Sequence, residues 1–424
     1  MRISDFTNPV FSREIAEVRA SVVPIAEAME LRPDVLIDAA RAELGLDDFG
    51  PCNSWRERLD VLCAALRDEA NLAPFGKLSN VALLTGLLKN RLLLADLLAR
   101  HPEIHDLEIA APIIVCGLPR TGTTHLHNLM SADSSLRSLP YWESLEPFAA
   151  PGEAATCVEG GPDEDPRITR AKVGCDFLGA TMPLFERMHE MTWDHVHEEI
   201  QLLAIDLSTM LFETIATVPS WRDYYLAHDQ RPHYEYLKTV LKALTFLRPG
   251  PGGPTATRWV LKSPQHLEQF PALRATFPDA TFVVTHRDPV SVTVSMATML
   301  AYTARMNVAH PDPLATGAEW SARLETMLRT CADQHDVLPP DQTIDVRFDE
   351  FMADDIAMVR RIYELARQPF TETTLAEMKG FMDEHPRGKH GTIVYDLADF
   401  GLDPAERYEA LGFYLDRFAL TRER

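Results

Sequence analysis

Apolar side chains recur at helical spacing through the first quarter of the chain. Between residues 34 and 99 they repeat every three or four positions, as Leu59 and Leu62 illustrate, and a helix gathers such positions on one face. We therefore predict a helical N-terminal region over residues 1–105. Its most apolar stretch, residues 83–98, is interrupted by three charged residues. It falls short of the ~20 apolar residues that a membrane-spanning helix needs, so stable membrane insertion is not predicted.

After Pro112 the pattern changes to short apolar runs. Four of them are predicted to be buried strands, at residues 113–116, 258–261, 281–285 and 343–348. Helical patterns follow the second and fourth runs, at residues 266–276 and 351–366. Strand, helix and strand in this order form right-handed crossover units. The predicted fold class is therefore α/β, a P-loop-like open parallel sheet flanked by helices over residues 106–424, with a helical insertion at about residues 180–250.

The amino-acid composition limits the classes of molecule that the protein is expected to bind. Acidic residues outnumber basic ones by 63 to 41, which gives a net charge of −22. Such a charge repels nucleic acids and heavily sulfated glycans, so we predict a small-molecule partner and no nucleic acid. Residues 1–14 lack the basic start and apolar core of a signal peptide, and a cytoplasmic location is predicted. A homo-oligomer is compatible with the sequence.

Metal-binding patterns are weak in this chain. The six cysteines are scattered and form no CxxC pair. The segment from His195 to Glu199 reads HVHEE, but alternate histidines face one way only on a strand, and a helix-like pattern follows directly. We therefore predict no metal site.

A loop with phosphate-binding character follows the first predicted strand. Residues 117–124 read GLPRTGTT, and backbone N–H groups that converge at the start of a helix favour an anion. The spacing is that of a GxxxxGK[ST] loop, except that Thr123 replaces the lysine. Arg120 supplies a cation three residues earlier, and its planar fork suits phosphate or sulfate oxygens. The alternative is a strand–turn–helix corner with an exposed arginine.

This loop resembles that of the sulfotransferases that use 3'-phosphoadenosine-5'-phosphosulfate (PAPS), in particular their bacterial-type branch. The resemblance implies that PAPS is the co-substrate and that no metal is required. It also implies that the loop holds the phosphosulfate end of PAPS through Pro119, Arg120, Thr121, Gly122, Thr123 and Thr124. His125 stands where the cytosolic enzymes carry a tryptophan that stacks on adenine.

A second motif supports the resemblance. Family members bind the 3'-phosphate of PAPS through a strand-end arginine and a serine eight residues later, and here Arg287 and Ser295 have that spacing. Asp288 also has the position of a helix N-cap, with a proline after it. Near the C-terminus, residues 386–391 resemble the family's basic segment over the 3'-phosphate. This similarity implies cofactor contacts by Arg387, Gly388 and Lys389.

Sulfuryl transfer needs cations at the leaving phosphate and a base for the acceptor hydroxyl. Arg120 is one cation, and Lys262, at the carboxyl end of a predicted central strand, resembles the family's lysine near the bridging oxygen. The base is predicted to be Glu143, whose pKa burial beside Trp142 would raise, or His266. His127 is a third candidate.

The predicted function is thus transfer of a sulfuryl group from PAPS to a hydroxyl of a small-molecule, lipid or glycan acceptor. The acidic charge favours a small neutral or hydrophobic acceptor. Two alternatives stay open: a P-loop kinase or nucleotide hydrolase, which would require Mg²⁺ and ATP, and a non-catalytic nucleotide-binding protein.

Overall fold

The computed structural model describes residues 1–153, 165–250, 253, 257–386 and 388–423. Within them, one sheet contains four parallel strands, β1 (Ile113–Cys116), β2 (Val260–Ser263), β3 (Thr281–His286) and β4 (Thr343–Arg347). Their order across the sheet is β2-β1-β3-β4. The predicted α/β fold with an open parallel sheet is confirmed. The second strand begins two residues later than predicted, because Trp259 forms an isolated bridge with Arg137 and the pairing of β2 with β1 starts at Val260.

Helices account for most of the remaining described chain. In chain order they are α1 (Arg13–Ser21), α2 (Val23–Ala28), α3 (Pro33–Leu44), α4 (Trp55–Asp68), α5 (Pro74–Arg100), α6 (Thr123–Ser131), α7 (Tyr141–Leu145), α8 (Pro166–Thr181), α9 (Ile200–Ala204), α10 (Leu211–Ile215), α11 (Pro219–Ala227), α12 (Arg231–Leu247), α13 (Phe270–Thr276), α14 (Pro289–Asn307), α15 (Pro313–Gln334), α16 (Phe348–Ala353), α17 (Asp355–Ala366), α18 (Glu372–Glu384), α19 (Pro404–Ala410) and α20 (Gly412–Arg417). Short 3₁₀ turns lie at Pro102–Asp106, Phe185–Arg187, Pro264–Glu268, His335–Val337 and Leu397–Phe400.

One predicted helix is divided in two. The pattern over residues 351–366 predicted a single helix, but Asp354 has extended backbone angles between α16 and α17. Its carboxylate accepts a hydrogen bond from the amide of Ala357 at 2.9 Å, which is the N-cap arrangement that favours aspartate at a helix start. A local cap therefore overrides the continuous apolar pattern.

The sheet buries both of its faces. Ile114 and Cys116 of β1 belong to a large apolar cluster that also contains Leu84 and Leu88 of α5. The alternate residues, such as Val115, face a second cluster built with α6 and α17. Because successive strand residues point to opposite faces, a continuous apolar run is needed when helices cover both sides. The N-terminal helices thus share the core of the sheet, and the proposed division at residue 105 stays a prediction.

The strand order places three loops at one edge of the sheet. The chain runs from β1 to β2 on one side and then crosses to β3 on the other side of β1. In open α/β sheets, ligands bind at the carboxyl ends of the strands where the order reverses in this way. Gly117, Pro264 and Arg287 directly follow β1, β2 and β3 and meet at this edge. In the described part of the chain, no helix combines the length and apolar character needed to cross a membrane.

Candidate active site

The loop between β1 and α6 has a shape that its own residues impose. A Cβ atom at Gly117 would lie 1.9 Å from Oγ1 of Thr285, so only glycine fits there. Gly122 has φ +87° and Arg120 has φ +71°, and a positive φ is uncommon for a non-glycine residue. The Thr121 hydroxyl donates to the carbonyl of Leu118 at 2.7 Å and lies 2.7 Å from Oγ1 of Thr285. Thr121 therefore holds the loop in place.

The structure brings together the arginines and the serine that the sequence singled out. Arg120 Nε donates to Ser295 Oγ at 3.0 Å, and Arg287 Nη1 donates to the Arg120 carbonyl at 2.7 Å. The remaining nitrogens of the Arg120 guanidinium contact the Met188 carbonyl at 2.5 Å and the Tyr395 hydroxyl at 3.4 Å. The phosphate loop, the end of β3 and the second turn of α14 thus meet at one cluster of side chains.

Arg287 has an acidic partner from the C-terminal segment. Its Nε and Nη2 atoms bind the two carboxylate oxygens of Glu423 at 2.6 and 2.7 Å, and its guanidinium lies 4.1 Å from the ring centre of Phe348. Asp288 caps α14, as predicted, through the amide of Val290 at 2.9 Å. The cap fixes the backbone at Arg287, and Glu423 fixes its side chain.

The other loop residues divide between the cavity and the core. Pro119, Arg120 and Thr124 line a cavity, whereas Thr123 is buried in the first turn of α6. His125 Nε2 lies 2.7 Å from a carboxylate oxygen of Asp355. This contact directs the imidazole toward α17, and His125 is not among the described residues that line the cavity.

The predicted basic segment near the C-terminus is described in part. Arg387 lies outside the described residues. Gly388 has φ +76°, and Lys389 Nζ lies 3.9 Å from a carboxylate oxygen of Glu190. Because Arg120 binds the nearby Met188 carbonyl, residues 188–190 connect this segment with the phosphate loop.

Lys262 lies at the carboxyl end of β2, as predicted, and its side chain is buried. The predicted central position is wrong, because β2 is an edge strand of the described sheet. Its ammonium group forms an ion pair with Glu198, while its backbone amide donates to Glu199 Oε2 at 2.8 Å. Glu198 lines the cavity together with Arg120. A buried lysine with one carboxylate partner can exchange that partner for a phosphate or sulfate oxygen.

His266 is buried in the protein interior next to Glu199 and Tyr234. Its Nε2 lies 2.5 Å from Glu199 Oε1, and its Nδ1 lies 2.8 Å from the Tyr234 hydroxyl. The residue is fully buried and is not among the described residues of the cavity wall. With both ring nitrogens engaged, His266 has the contacts of a structural residue.

Glu143 forms two ion pairs away from this cavity. Its carboxylate binds Arg137 at 2.5 Å and Arg248 at 3.0 Å. Burial acts to raise the pKa of Glu143, but the two guanidinium groups outweigh it and lower the pKa below its ordinary value. The predicted rise in pKa beside Trp142 is therefore wrong. Glu143 lines a different cavity, with Trp142 and Arg248.

His127, the third candidate base, is buried in α6 with Nε2 3.4 Å from the Val260 carbonyl. Burial lowers its pKa to about 3, with a smaller contribution from Lys262. His127 is likewise not among the described residues of the cavity wall. The structure thus places all three predicted bases outside that wall.

The cavity that Arg120 lines has a volume of about 490 Å³. Besides the phosphate-loop residues, its wall contains Tyr141, His189, His197, Glu198, Pro264 and a group of methionines. Sequence reasoning did not place His197 and Glu198 at this cavity; both lie in the HVHEE segment considered for a metal. Within this segment, Val196 pairs with Pro140 in an isolated antiparallel bridge.

The fold and this loop define a P-loop-like α/β protein with a cavity at the carboxyl edge of its sheet. A family model described as "Sulfotransferase family" matches residues 112–372. The chain belongs to this family, which supports a sulfuryl-transfer function and confirms the predicted resemblance to sulfotransferases. A search of curated proteins found no match.

Two solved structures are similar over nearly the whole chain. The sulfotransferase STF1 from Mycobacterium tuberculosis H37Rv is 29% identical, with a TM-score of 0.75 and coverage of 91% of this chain and 98% of that chain. The sulfotransferase STF9 from Mycobacterium avium is 25% identical, with a TM-score of 0.79 and coverage of 92% and 97%. The similarity therefore extends beyond the sheet into the helical N-terminal region.

Proposed function

We propose that this protein transfers the sulfuryl group of PAPS to a hydroxyl of a small-molecule acceptor. The observation that carries the proposal is the contact of Arg120 with both Ser295 and Arg287 beside a cavity. These residues come from two motifs, whose arginines, Arg120 and Arg287, are 167 positions apart in the sequence. Two cation-bearing motifs at one sheet edge suit a nucleotide that carries anionic groups at both ends of its ribose.

Each cation has a distinct role in the proposal. The loop amides at the start of α6 and the Arg120 guanidinium hold the phosphosulfate group. Arg287 and Ser295 hold the 3'-phosphate, and Lys262 stabilises the charge that develops on the leaving phosphate. Gly117, which has no room for a Cβ atom, keeps the loop backbone in the shape that this cradle requires.

The kinase alternative has less support from the site residues. A nucleotide-hydrolysing P-loop uses a lysine at the position of Thr123 and a strand-end aspartate for Mg²⁺. Asp288, the aspartate that follows β3, has its carboxylate oxygens engaged by the Val290 amide and the Tyr408 hydroxyl. Family membership also favours sulfuryl transfer over the kinase and over a non-catalytic binding protein.

Calorimetry with 3'-phosphoadenosine-5'-phosphate (PAP), the product of the reaction, tests the nucleotide site. Hydrogen bonds to charged groups contribute about 1.5–3 kcal/mol, so we expect Arg120→Ala and Arg287→Ala each to weaken PAP binding by at least about 10-fold. Arg13→Ala, at an exposed ion pair on α1, is the matched control and should leave the affinity unchanged. Absent PAP affinity in the native protein, or native affinity in both variants, would refute the proposal.

Turnover distinguishes the reaction classes. PAPS-dependent sulfation of an alcohol or phenol in excess EDTA is the expected result, because the proposed cations are all side chains. Activity that requires both ATP and Mg²⁺ would instead support the P-loop kinase or nucleotide hydrolase.

A further inference from the structure

Two histidines and an aspartate converge at the β4 edge of the sheet. His286 ends β3, Asp345 lies within β4, and His335 begins the 3₁₀ turn that follows α15. The Nε2 atoms of His286 and His335 lie 3.0 and 2.8 Å from the same carboxylate oxygen, Oδ1 of Asp345. All three ligand atoms lie within 4.8 Å of one another. Together these three residues form the β4-edge cluster.

The pairing of β3 with β4 places two members of the cluster on one face of the sheet. His286 pairs with Arg347, and Asp345 comes two positions before Arg347 on β4. Successive strand residues point to opposite faces, so Asp345 and His286 share a face. Aspartate is depleted in strands, and a charged side chain at this position calls for a partner. Here both partners of the carboxylate are imidazoles.

Other carboxylates bind the arginines around the cluster. Three arginines line the adjoining cavity, and their ion-pair partners are Glu350 for Arg347 and Arg361, and Asp336 for Arg417. Among the described residues, the ion-pair partners of Asp345 are the two histidines. Two imidazole nitrogens and one carboxylate oxygen are a donor set that suits a first-row divalent metal ion, of which Zn²⁺ is the commonest with such ligands.

Aromatic side chains hold both imidazole rings in position. The ring of Phe418 stacks on His286 with 4.0 Å between centroids and meets His335 edge-on at 5.4 Å. His286 Nδ1 lies 2.7 Å from the Tyr414 hydroxyl. When Nε2 of a histidine binds a metal, Nδ1 carries the hydrogen and needs an acceptor, and a tyrosine hydroxyl oxygen is one. The neighbours thus orient the ligands as a metal site requires.

The spacing of the ligand atoms leaves room for an ion after a small movement. Zinc bonds to nitrogen and oxygen of about 2.0–2.2 Å place tetrahedral ligand atoms about 3.3–3.6 Å apart. The Nε2–Oδ1 distances of 3.0 and 2.8 Å are shorter than this, but the Asp345 side chain is 44% exposed and can move outward. The adjoining cavity of about 380 Å³ provides an entry path and space for a solvent ligand.

We propose that the β4-edge cluster binds one Zn²⁺ ion per chain through the two Nε2 atoms and the Asp345 carboxylate. The bound ion joins β3 and the edge strand β4 to the turn after α15. The cysteines and the HVHEE segment, on which the sequence prediction of no metal site rests, include none of these residues. The three ligands come from separate elements and are up to 59 positions apart, so no local spacing pattern reports them.

This site is separate from the proposed reaction. None of its three ligands is among the described residues that line the cavity with Arg120. The inference therefore does not depend on the proposed sulfuryl transfer. EDTA should remove the ion and lower thermal stability, while turnover in EDTA stays the expected result for the active site.

Calorimetric titration of Zn²⁺ into protein that has been treated with EDTA and dialysed at neutral pH tests the site, and should give one ion per chain. Loss of a hydrogen-bond partner of a metal ligand costs about 10–100-fold in affinity. Removing a ligand itself, in His335→Ala or Asp345→Ala, should therefore weaken binding by at least about 100-fold, and Tyr414→Phe by about 10-fold. His310→Ala, at an exposed histidine, is the matched control and should keep the native affinity.

Thermal unfolding supplies a second measurement on the same proteins. An ion that binds only the folded chain stabilises it increasingly as its concentration rises. The unfolding midpoint of the native protein should therefore rise with Zn²⁺ concentration, whereas that of Asp345→Ala should not respond. A cluster that only provides hydrogen bonds would give no such dependence in either protein, and that result would overturn the inference.

The titrations can also contradict the assignment directly. Absence of saturable Zn²⁺ binding by the native protein would overturn it without any variant. Native affinity in both His335→Ala and Asp345→Ala would show that the ion binds elsewhere. Loss of binding in His195→Ala would assign the ion to the HVHEE segment instead, and would likewise overturn the proposed site.

Discussion

Removing the charge of Glu423 should strengthen nucleotide binding. In the structure, Glu423 binds Arg287 through both carboxylate oxygens, and Arg287 is the arginine proposed to hold the 3'-phosphate. A carboxylate on this guanidinium therefore competes with the phosphate for the same donors. Glu423→Gln removes the charge and keeps the shape.

The size of the effect follows from the exposure of the pair. The Arg287 and Glu423 side chains are 22% and 34% exposed, so solvent screens their attraction and the pair contributes about 0.5–1 kcal/mol. Because 1.4 kcal/mol corresponds to a tenfold change in an equilibrium constant, we expect PAP to bind about two- to fivefold more tightly. The backbone amide of residue 423 donates to Asp288 Oδ2 at 2.6 Å. This bond does not involve the side chain, so it keeps the segment in place in the variant.

Calorimetric titration of PAP at low and high salt measures this effect. The gain should shrink at high salt, because mobile ions screen the lost ion pair. Glu409→Gln, at an exposed position of α19, is the matched control for a change of one charge near the same end of the chain. An affinity that stays equal to native, or that falls in Glu423→Gln, would refute competition at Arg287.

Three further changes test the structural roles assigned above. Glu143→Gln should lower the free energy of unfolding by about 3–5 kcal/mol, because Arg137 is left buried without its charged partner. Urea titration should show this loss of stability, and PAP affinity should be unchanged. Since the folded-state pKa of Glu143 is lowered, the ionised carboxylate stabilises the fold above the unfolded carboxyl pKa, and this stabilisation is lost as the pH falls through the folded-state pKa. A difference in the free energy of unfolding between native protein and variant that stays constant down to acidic pH would contradict this. Gly117→Ala should weaken PAP binding by at least about 10-fold through the contact with Thr285, whereas Gly86→Ala, in open space within α5, should raise stability by about 0.5–1 kcal/mol. His266→Ala should cost about 1–3 kcal/mol by removing the His266 partner of Glu199 Oε1 and of the Tyr234 hydroxyl, and unaltered stability would show that their network is not structural.

Local sequence determined the sheet and its phosphate loop. Short, mostly apolar runs predicted the four strands. In β1, which helices cover on both faces, no polar position interrupts the run, whereas β4, at the edge of the sheet, includes the exposed Asp345. The positions of Gly117 and Gly122 likewise follow from a tight strand-to-helix turn. The eight-residue spacing also placed Arg287 and Ser295 on one strand-end and helix unit, but Arg120, which contacts both of them, comes from a distant loop.

The choice of groups around the reacting atoms depended on tertiary structure. Glu143 was a reasonable base from its position after α6, yet Arg248, 105 positions away, binds its carboxylate. Lys262 meets Glu198 across 64 positions, and Arg287 meets Glu423 across 136. The sequence alone therefore determined the four strands and the strand-to-helix loop after β1. Which side chains share a cavity was decided by parallel crossovers, which bring distant segments to one sheet edge without any local pattern that reports their contact.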